Sequence, residues 1–160
     1  MPLRNLLSAE RITILVEPGN RAAVLDVAAR LLAAPDADFS SPALTRTIGD
    51  SLRARAQLAS TAIGHGVAIP HARIAGIDES RCAFLRLTQA IDFNAADGEP
   101  VDLVLALAVP EHYVQQHLEL LADLAERFAD PGYRADLRAA PTIDLLCHQL
   151  LDGDGHAASA

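Results

Sequence analysis

The sequence contains no lysine: all 13 basic residues among its 160 are arginine. That absence removes the Walker-A phosphate loop, which needs its lysine, and every mechanism built on an amine nucleophile, such as Schiff-base or pyridoxal chemistry. Tryptophan is missing too, and aromatics make up only 4% of the chain against a hydrophobic share of 51%. A core of Leu, Val, Ile and Ala suits a helix-covered α/β protein better than an aromatic-rich β-sandwich. The only cysteines, Cys82 and Cys147, form no CxxC pair and give no sign of a disulfide scaffold or zinc ribbon, which fits a reducing compartment. No apolar run nears the ~18 residues of a membrane span, and the opening MPLRNLLSAERITILVEP lacks the apolar stretch of a signal peptide. The expectation is a cytoplasmic chain with no membrane insertion. Twenty-one acidic residues bring the net charge to −8, which opposes binding to a phosphate backbone, so nucleic acid is not an expected partner.

What is present reads as one domain of alternating strands and helices. RITILVE (11–17) is short and β-branched and is stopped by Pro18-Gly19, a strand entering a turn. Asn20 is placed as an N-cap, followed by Val24, Leu25, Ala28, Leu31 and Leu32 at helical spacing as far as Pro35. PDADFSSP (35–42) is a polar connector, and Ser41-Pro42 is the cap and first residue of a second helix lined by Leu44, Ile48 and Leu52. RCAFLRLT (81–88) and PVDLVLALAVP (100–110) are two further strands, the second apolar throughout as a central strand must be, with the loop IDFNAADGEP (91–100) between them. A helix is expected from His112 to Ala129 with Val114, Leu118, Leu121, Ala125 and Phe128 on its buried face. Two short helices, YRADLRAA and TIDLLCHQLL, should follow, and then a disordered tail over 153–160. The fold class this implies is α/β, a mixed sheet with helices on both faces.

One stretch spends residues in an unusual way: GHGVAIPHAR (64–73). Gly64 and Gly66 permit positive φ around His65, VAI is a very short strand, and Pro70 fixes the backbone direction just before His71. An isolated histidine at a strand end is more often a cap than a nucleophile, but the surrounding glycines and proline favour function. A phosphate-accepting histidine needs a neutral ring with one nitrogen held by an acceptor and the other aimed outward. The phosphoryl group then needs cations or donors around it. Arg55, beside the buried stripe of the second helix, and Arg73 are the candidate arginines. His117 borders the apolar face of the 112–129 helix and becomes a hydrogen-bonding helper if it faces His71. His65 reads as exposed.

At this point STAIGHGVAIPHAR (60–73) resembles the active-site signature of the enzyme IIA proteins of the phosphoenolpyruvate-dependent phosphotransferase system, in the mannitol/fructose/nitrogen superfamily. Their pattern is approximately S/T-x-I-G-x-G-I-A-I-P-H-G. The resemblance extends over residues 3–152 through the arginine one turn before the Ser-Thr pair, PVDLVLALAVP, and His117-Leu118 with Leu121. Two positions depart from it: Ala72 stands where the family usually has Gly, and His65 replaces a small polar residue. Within the superfamily the opening segment is most similar to the nitrogen-regulatory type, whose members are free-standing chains with no transport domain attached.

The resemblance implies a mannitol-type enzyme IIA fold over 3–152. It also implies His71 as phosphoacceptor, His117 as hydrogen-bond donor to the phosphate and Arg55 as its counter-charge. Neither a metal nor a cofactor is expected. The implied partner is an HPr-like histidine phosphocarrier, and the implied role is regulation of other proteins by phosphorylation state; a fructose- or mannitol-type sugar-transport component shares the motif and is the alternative. A metal-dependent hydrolase using His65, His71, His112 and His117 lacks any HExxH-like spacing, and a non-catalytic interaction module would leave the histidine as scaffolding. Docking is expected to use an apolar rim that includes Ile69 and Ile74.

Overall fold

The computed structural model describes residues 3–33 and 42–159, with side chains as far as Leu151. The connector 35–42 lies outside them except for Pro42, as do the Ser41 cap and Ala160. After two single-turn helices (Leu3–Asn5 and Ala9–Arg11), the chain forms β1 (Ile12–Leu15), α1 (Arg21–Ala33), α2 (Pro42–Leu58), β2 (Ala62–Gly64), β3 (Val67–Ala68) and β4 (His71–Ile74). It continues through β5 (Arg81–Ile91), β6 (Val101–Pro110), α3 (Val114–Phe128), α4 (Pro131–Ala139) and α5 (Ile143–Ser159). α5 thus carries the backbone through 153–159, where the sequence suggests a disordered tail.

The sheet order is β1-β5-β6-β3-β2, with β4 also on β6. β1 runs parallel to β5, β5 antiparallel to β6, and β3 and β4 both parallel to β6, giving the expected mixed sheet. The period-two alternation of strand side chains divides the apolar residues between two cores. Ala83, Leu85, Leu87, Val104, Ala106 and Ala108 face α1 and α2. Cys82, Phe84, Leu103, Leu105, Leu107 and Val109 face α3, α4 and α5. β6 is apolar at nearly every position because both of its faces are covered.

Local signals explain most of the helix placements. The Asn20 side chain accepts the Ala23 N–H at 2.9 Å and starts α1. Ile48 and Leu52 are buried on α2 and Leu44 packs against them. Asp130 caps α4 by accepting the Gly132 N–H at 3.1 Å, with Pro131 at the first helical position.

The buried face of α3 differs from expectation. Leu120, Leu124 and Phe128 are buried, with Leu121 and Ala125 at the margin, whereas Val114 and Leu118 are 53% and 60% exposed. The cluster of leucines at 118, 120, 121 and 124 offers two overlapping stripes. The phase adopted sets Leu120, Leu124 and Phe128 in the core that includes Phe84, Leu105 and Leu137, and leaves Val114 and Leu118 at the surface.

Candidate functional site

β3 and β4 lie end to end along the same edge of β6: Val67 and Ala68 pair with Leu103 and Val104, and His71 to Ile74 pair with Leu107 to Pro110. Pro70 sits at the joint. It has no N–H to offer the ladder, although its carbonyl still accepts from Leu107 N–H at 2.8 Å. His71 therefore opens a strand rather than closing one. Ile69 turns its N–H away to the Thr61 carbonyl at 2.9 Å, and its carbonyl lies 2.7 Å from His71 Nδ1. A carbonyl can only accept, so Nδ1 carries the proton of the neutral ring and Nε2 is left as the free nitrogen.

Strand alternation puts Arg73 on the same face as His71 and sends Ala72 and Ile74 into the core under α1 and α2. Ala72 lies in regular β4, and among the described residues the positive-φ non-glycine positions are His65 and Asn94. The methyl group that replaces the family's glycine hydrogen therefore meets no backbone penalty.

His117, in the second turn of α3, brings its ring to 5.2 Å from that of His71, edge to face at 76°. Its Nε2 is buried with no hydrogen-bond partner. Burial lowers the His117 pKa to about 4, helped by the charges of His71, Arg73 and Arg55. The His71 ring is also held below its ordinary value. Burial is the main cause, the Ile69 carbonyl acts in the opposite sense, and Arg55 lowers the value further. At neutral pH both rings are uncharged, and two arginines lie close enough to act on them.

Arg55 occupies the last turn of α2 and donates from Nη1 to the Ala59 carbonyl at 2.9 Å, which closes its own helix and fixes the guanidinium at the site. His71, His117, Arg55, Arg73 and Glu111 line an open cleft of about 980 Å³. Its rim is apolar, but through residues other than those anticipated. Ile69 and Ile74 are 2% and 1% exposed and belong to the core, while Leu58, Val114 and Leu118 stand 82%, 53% and 60% exposed around the cleft. The alternation of β4 turns Ile74 inward, and Ile69, at the joint between β3 and β4, packs into the opposite core. The end of α2 and the surface phase of α3 supply the rim instead.

The structure thus brings His71, His117, Arg55 and Arg73 together and leaves His65 and His112 outside the group. His65 is exposed in the wall of a separate cavity, and His112 meets Tyr113 edge to face. Among the described residues, no three His, Cys, Asp or Glu side chains cluster as metal ligands would. Cys82 is fully buried and its thiol is pushed up to about 12 by burial, so it takes no part in nucleophilic chemistry. No described helix is long and apolar enough to cross a membrane.

The site thus sets a histidine whose Nδ1 faces a main-chain carbonyl beside a second histidine and two arginines, on a mixed α/β sheet. The comparisons give the chain its family. The model of the phosphoenolpyruvate-dependent sugar phosphotransferase system EIIA 2 family matches residues 5–152, and the chain belongs to this family. It is 38% identical to a nitrogen regulatory protein of Pseudomonas aeruginosa over 94% of this chain and 95% of that one. The crystal structure of nitrogen regulatory protein IIA-Ntr from Neisseria meningitidis superposes with a TM-score of 0.79 at 33% identity, covering 92% of this chain and 97% of that chain. Enzyme IIA for mannitol from Escherichia coli, solved in complex with its phosphorylated enzyme IIB, shares the fold with a TM-score of 0.72 at 17% identity, over 92% and 99% of the two chains.

Proposed function

We propose that the protein is a phosphorelay component of the nitrogen-regulatory type, which takes a phosphoryl group from an HPr-like carrier onto Nε2 of His71 and signals through its phosphorylation state. The observation that carries this reading is the 2.7 Å contact between His71 Nδ1 and the Ile69 carbonyl. It makes Nε2 the lone-pair nitrogen without a catalytic base. In the reaction, the Nε2 lone pair attacks phosphorus in line with the carrier's N–P bond. That bond breaks and returns its electron pair to the carrier's ring nitrogen, and no proton need leave His71 before attack.

The surrounding groups match the charge that arrives. A phosphoryl group adds close to two negative charges at neutral pH, and such transfers depend on positioning and electrostatic stabilisation more than on covalent activation. Arg55 and Arg73 supply positive charge across the cleft. His117 in its Nε2–H tautomer donates to a phosphoryl oxygen, giving its buried nitrogen the partner it lacks. The exposed Leu58, Val114 and Leu118 form the apolar contact for the carrier around this polar centre.

Relatives that match along nearly their whole length and are named as nitrogen regulatory proteins support a regulatory output. Adding a dianion to a chain of net charge −8 changes the cleft from basic to acidic at the rim a partner would meet. The test is incubation with phosphoenolpyruvate, enzyme I and the phosphocarrier, followed by intact mass measurement. The expected result is an acid-labile gain of about 80 Da that is lost in His71→Ala. Normal labelling of His71→Ala, or no labelling of wild type by general or nitrogen-type carriers, overturns the reading.

A further inference from the structure

The glycine-bracketed turn that precedes β3 is a socket for an arginine from another helix. Gly64, His65 and Gly66 all adopt positive φ, at 96°, 58° and 78°. From one side, Asp97 Oδ2 accepts the His65 N–H at 3.0 Å, while its Oδ1 accepts from Glu99 N–H at 3.0 Å. From the other, Arg138 in the last turn of α4 donates from Nη2 to the His65 carbonyl at 2.6 Å. The same guanidinium forks onto Asp102 on β6, with Nη2 to Oδ1 at 2.8 Å and Nε to Oδ2 at 3.1 Å. Asp102 in turn donates its N–H to the Gly66 carbonyl at 3.0 Å. A Cβ on Gly66 would stand 2.5 Å from Arg138 Nη2 and 3.0 Å from Asp102 Oδ1, so the glycine admits the fork as well as making the turn.

This clamp is connected to the reacting ring through hydrogen bonds. The turn sets the pairing of Ala62 with Ala68 in the β2–β3 hairpin. That pairing places the Thr61 carbonyl to receive Ile69 N–H at 2.9 Å. Held at its N–H, the Ile69 residue aims its carbonyl at His71 Nδ1, 2.7 Å away. β3 is held on β6, but β2 is a three-residue edge strand that pairs with β3 alone, so the position of the Thr61 carbonyl depends on the turn that joins them.

We propose that Arg138 is a positioning residue for phosphoryl transfer: by clamping the turn at 64–66 it fixes the Ile69 carbonyl and thereby the tautomer of His71. The proposal rests on the reading of His71 as phosphoacceptor. It differs from a purely structural role because its effect is read at a ring nitrogen five residues beyond Gly66. Arg134 provides the contrast, since it leaves the same helix to donate from Nη1 to the Phe128 and Ala129 carbonyls at 3.0 and 2.7 Å and makes no hydrogen bond to the turn.

The experiment is long-range proton–nitrogen NMR of the histidine rings in the full chain at pH 7.5, on wild type, Arg138→Gln, Asp102→Asn and Arg134→Gln, with melting temperatures and transfer rates measured alongside. Wild type should show His71 as a single Nδ1–H tautomer. Arg138→Gln, and more mildly Asp102→Asn, should mix in the Nε2–H form and slow transfer by roughly tenfold at an unchanged half-saturating carrier concentration. Arg138→Lys, which keeps the charge without the fork, should recover only part of the rate. Arg134→Gln should lower the melting temperature and leave the tautomer alone. An unaltered tautomer in both Arg138→Gln and Asp102→Asn, or an equal shift in Arg134→Gln, overturns the proposal. A wild-type chain that accepts no phosphate overturns the functional reading instead, and the tautomer measurement reads the clamp independently of it.

Discussion

Acidification should destabilise this protein through His117 before most of its carboxylates titrate. The ring falls from an ordinary 6.5 to about 4 on folding, chiefly because it is buried. Between those values the unfolded chain binds a proton that the folded chain refuses, so stability is lost as pH falls from about 6.5 to 4 and levels off below. At about 1.4 kcal/mol for each tenfold change in proton affinity, the ceiling is about 3 kcal/mol. The ring is only half-buried, so solvent screening brings the expected effect to ~1–2 kcal/mol. The assay is urea unfolding of wild type and His117→Gln at pH 7.5, 5.5 and 4.5. The wild type should lose ~1–2 kcal/mol more than the variant across that range, because glutamine fills the site without titrating. Parallel losses in the two proteins, or an NMR titration of His117 at or above its ordinary value, would refute the account of a neutral buried ring awaiting a phosphoryl oxygen.

Two further outcomes separate packing from chemistry. Leu124→Ala should cost about 2–5 kcal/mol as a fully packed core truncation, whereas Leu118→Ala, 60% exposed, should change stability by less than about 0.5 kcal/mol and raise the half-saturating carrier concentration in the transfer assay. Arg55→Gln removes a charge from the cleft and should slow phosphorylation by roughly tenfold to a hundredfold. With that guanidinium gone the His71 ring should titrate higher in an NMR pH series, because Arg55 is one of the groups holding it down.

What the sequence made legible follows from which interactions are local. The N-cap at Asn20, the stripe Leu44-Ile48-Leu52 and the apolar run of β6 are each set by neighbours in the chain, and each lies where the pattern puts it. The turn at 64–66 and the break at Pro70 were readable for the same reason, since glycine and proline act on their own backbone. The phase of α3 was not, because Leu118, Leu120, Leu121 and Leu124 satisfy two helical stripes equally and the choice between them is made by distant core partners such as Phe84, Leu105 and Leu137. Nor was the acceptor for His71 Nδ1, which is a main-chain carbonyl and carries no mark in the side-chain sequence. The clamp on the glycine turn shows the same limit from the other direction. Gly66 announces a positive φ, but the group that fills the space it leaves comes from Arg138, on α4, a partner that only the assembled fold specifies. The motif at 64–73 is therefore a local backbone shape, and the side chains set against it come from three helices: Arg55 from α2, His117 from α3 and Arg138 from α4. Substitutions on α2, α3 and α4 should alter His71 as directly as changes within the motif itself.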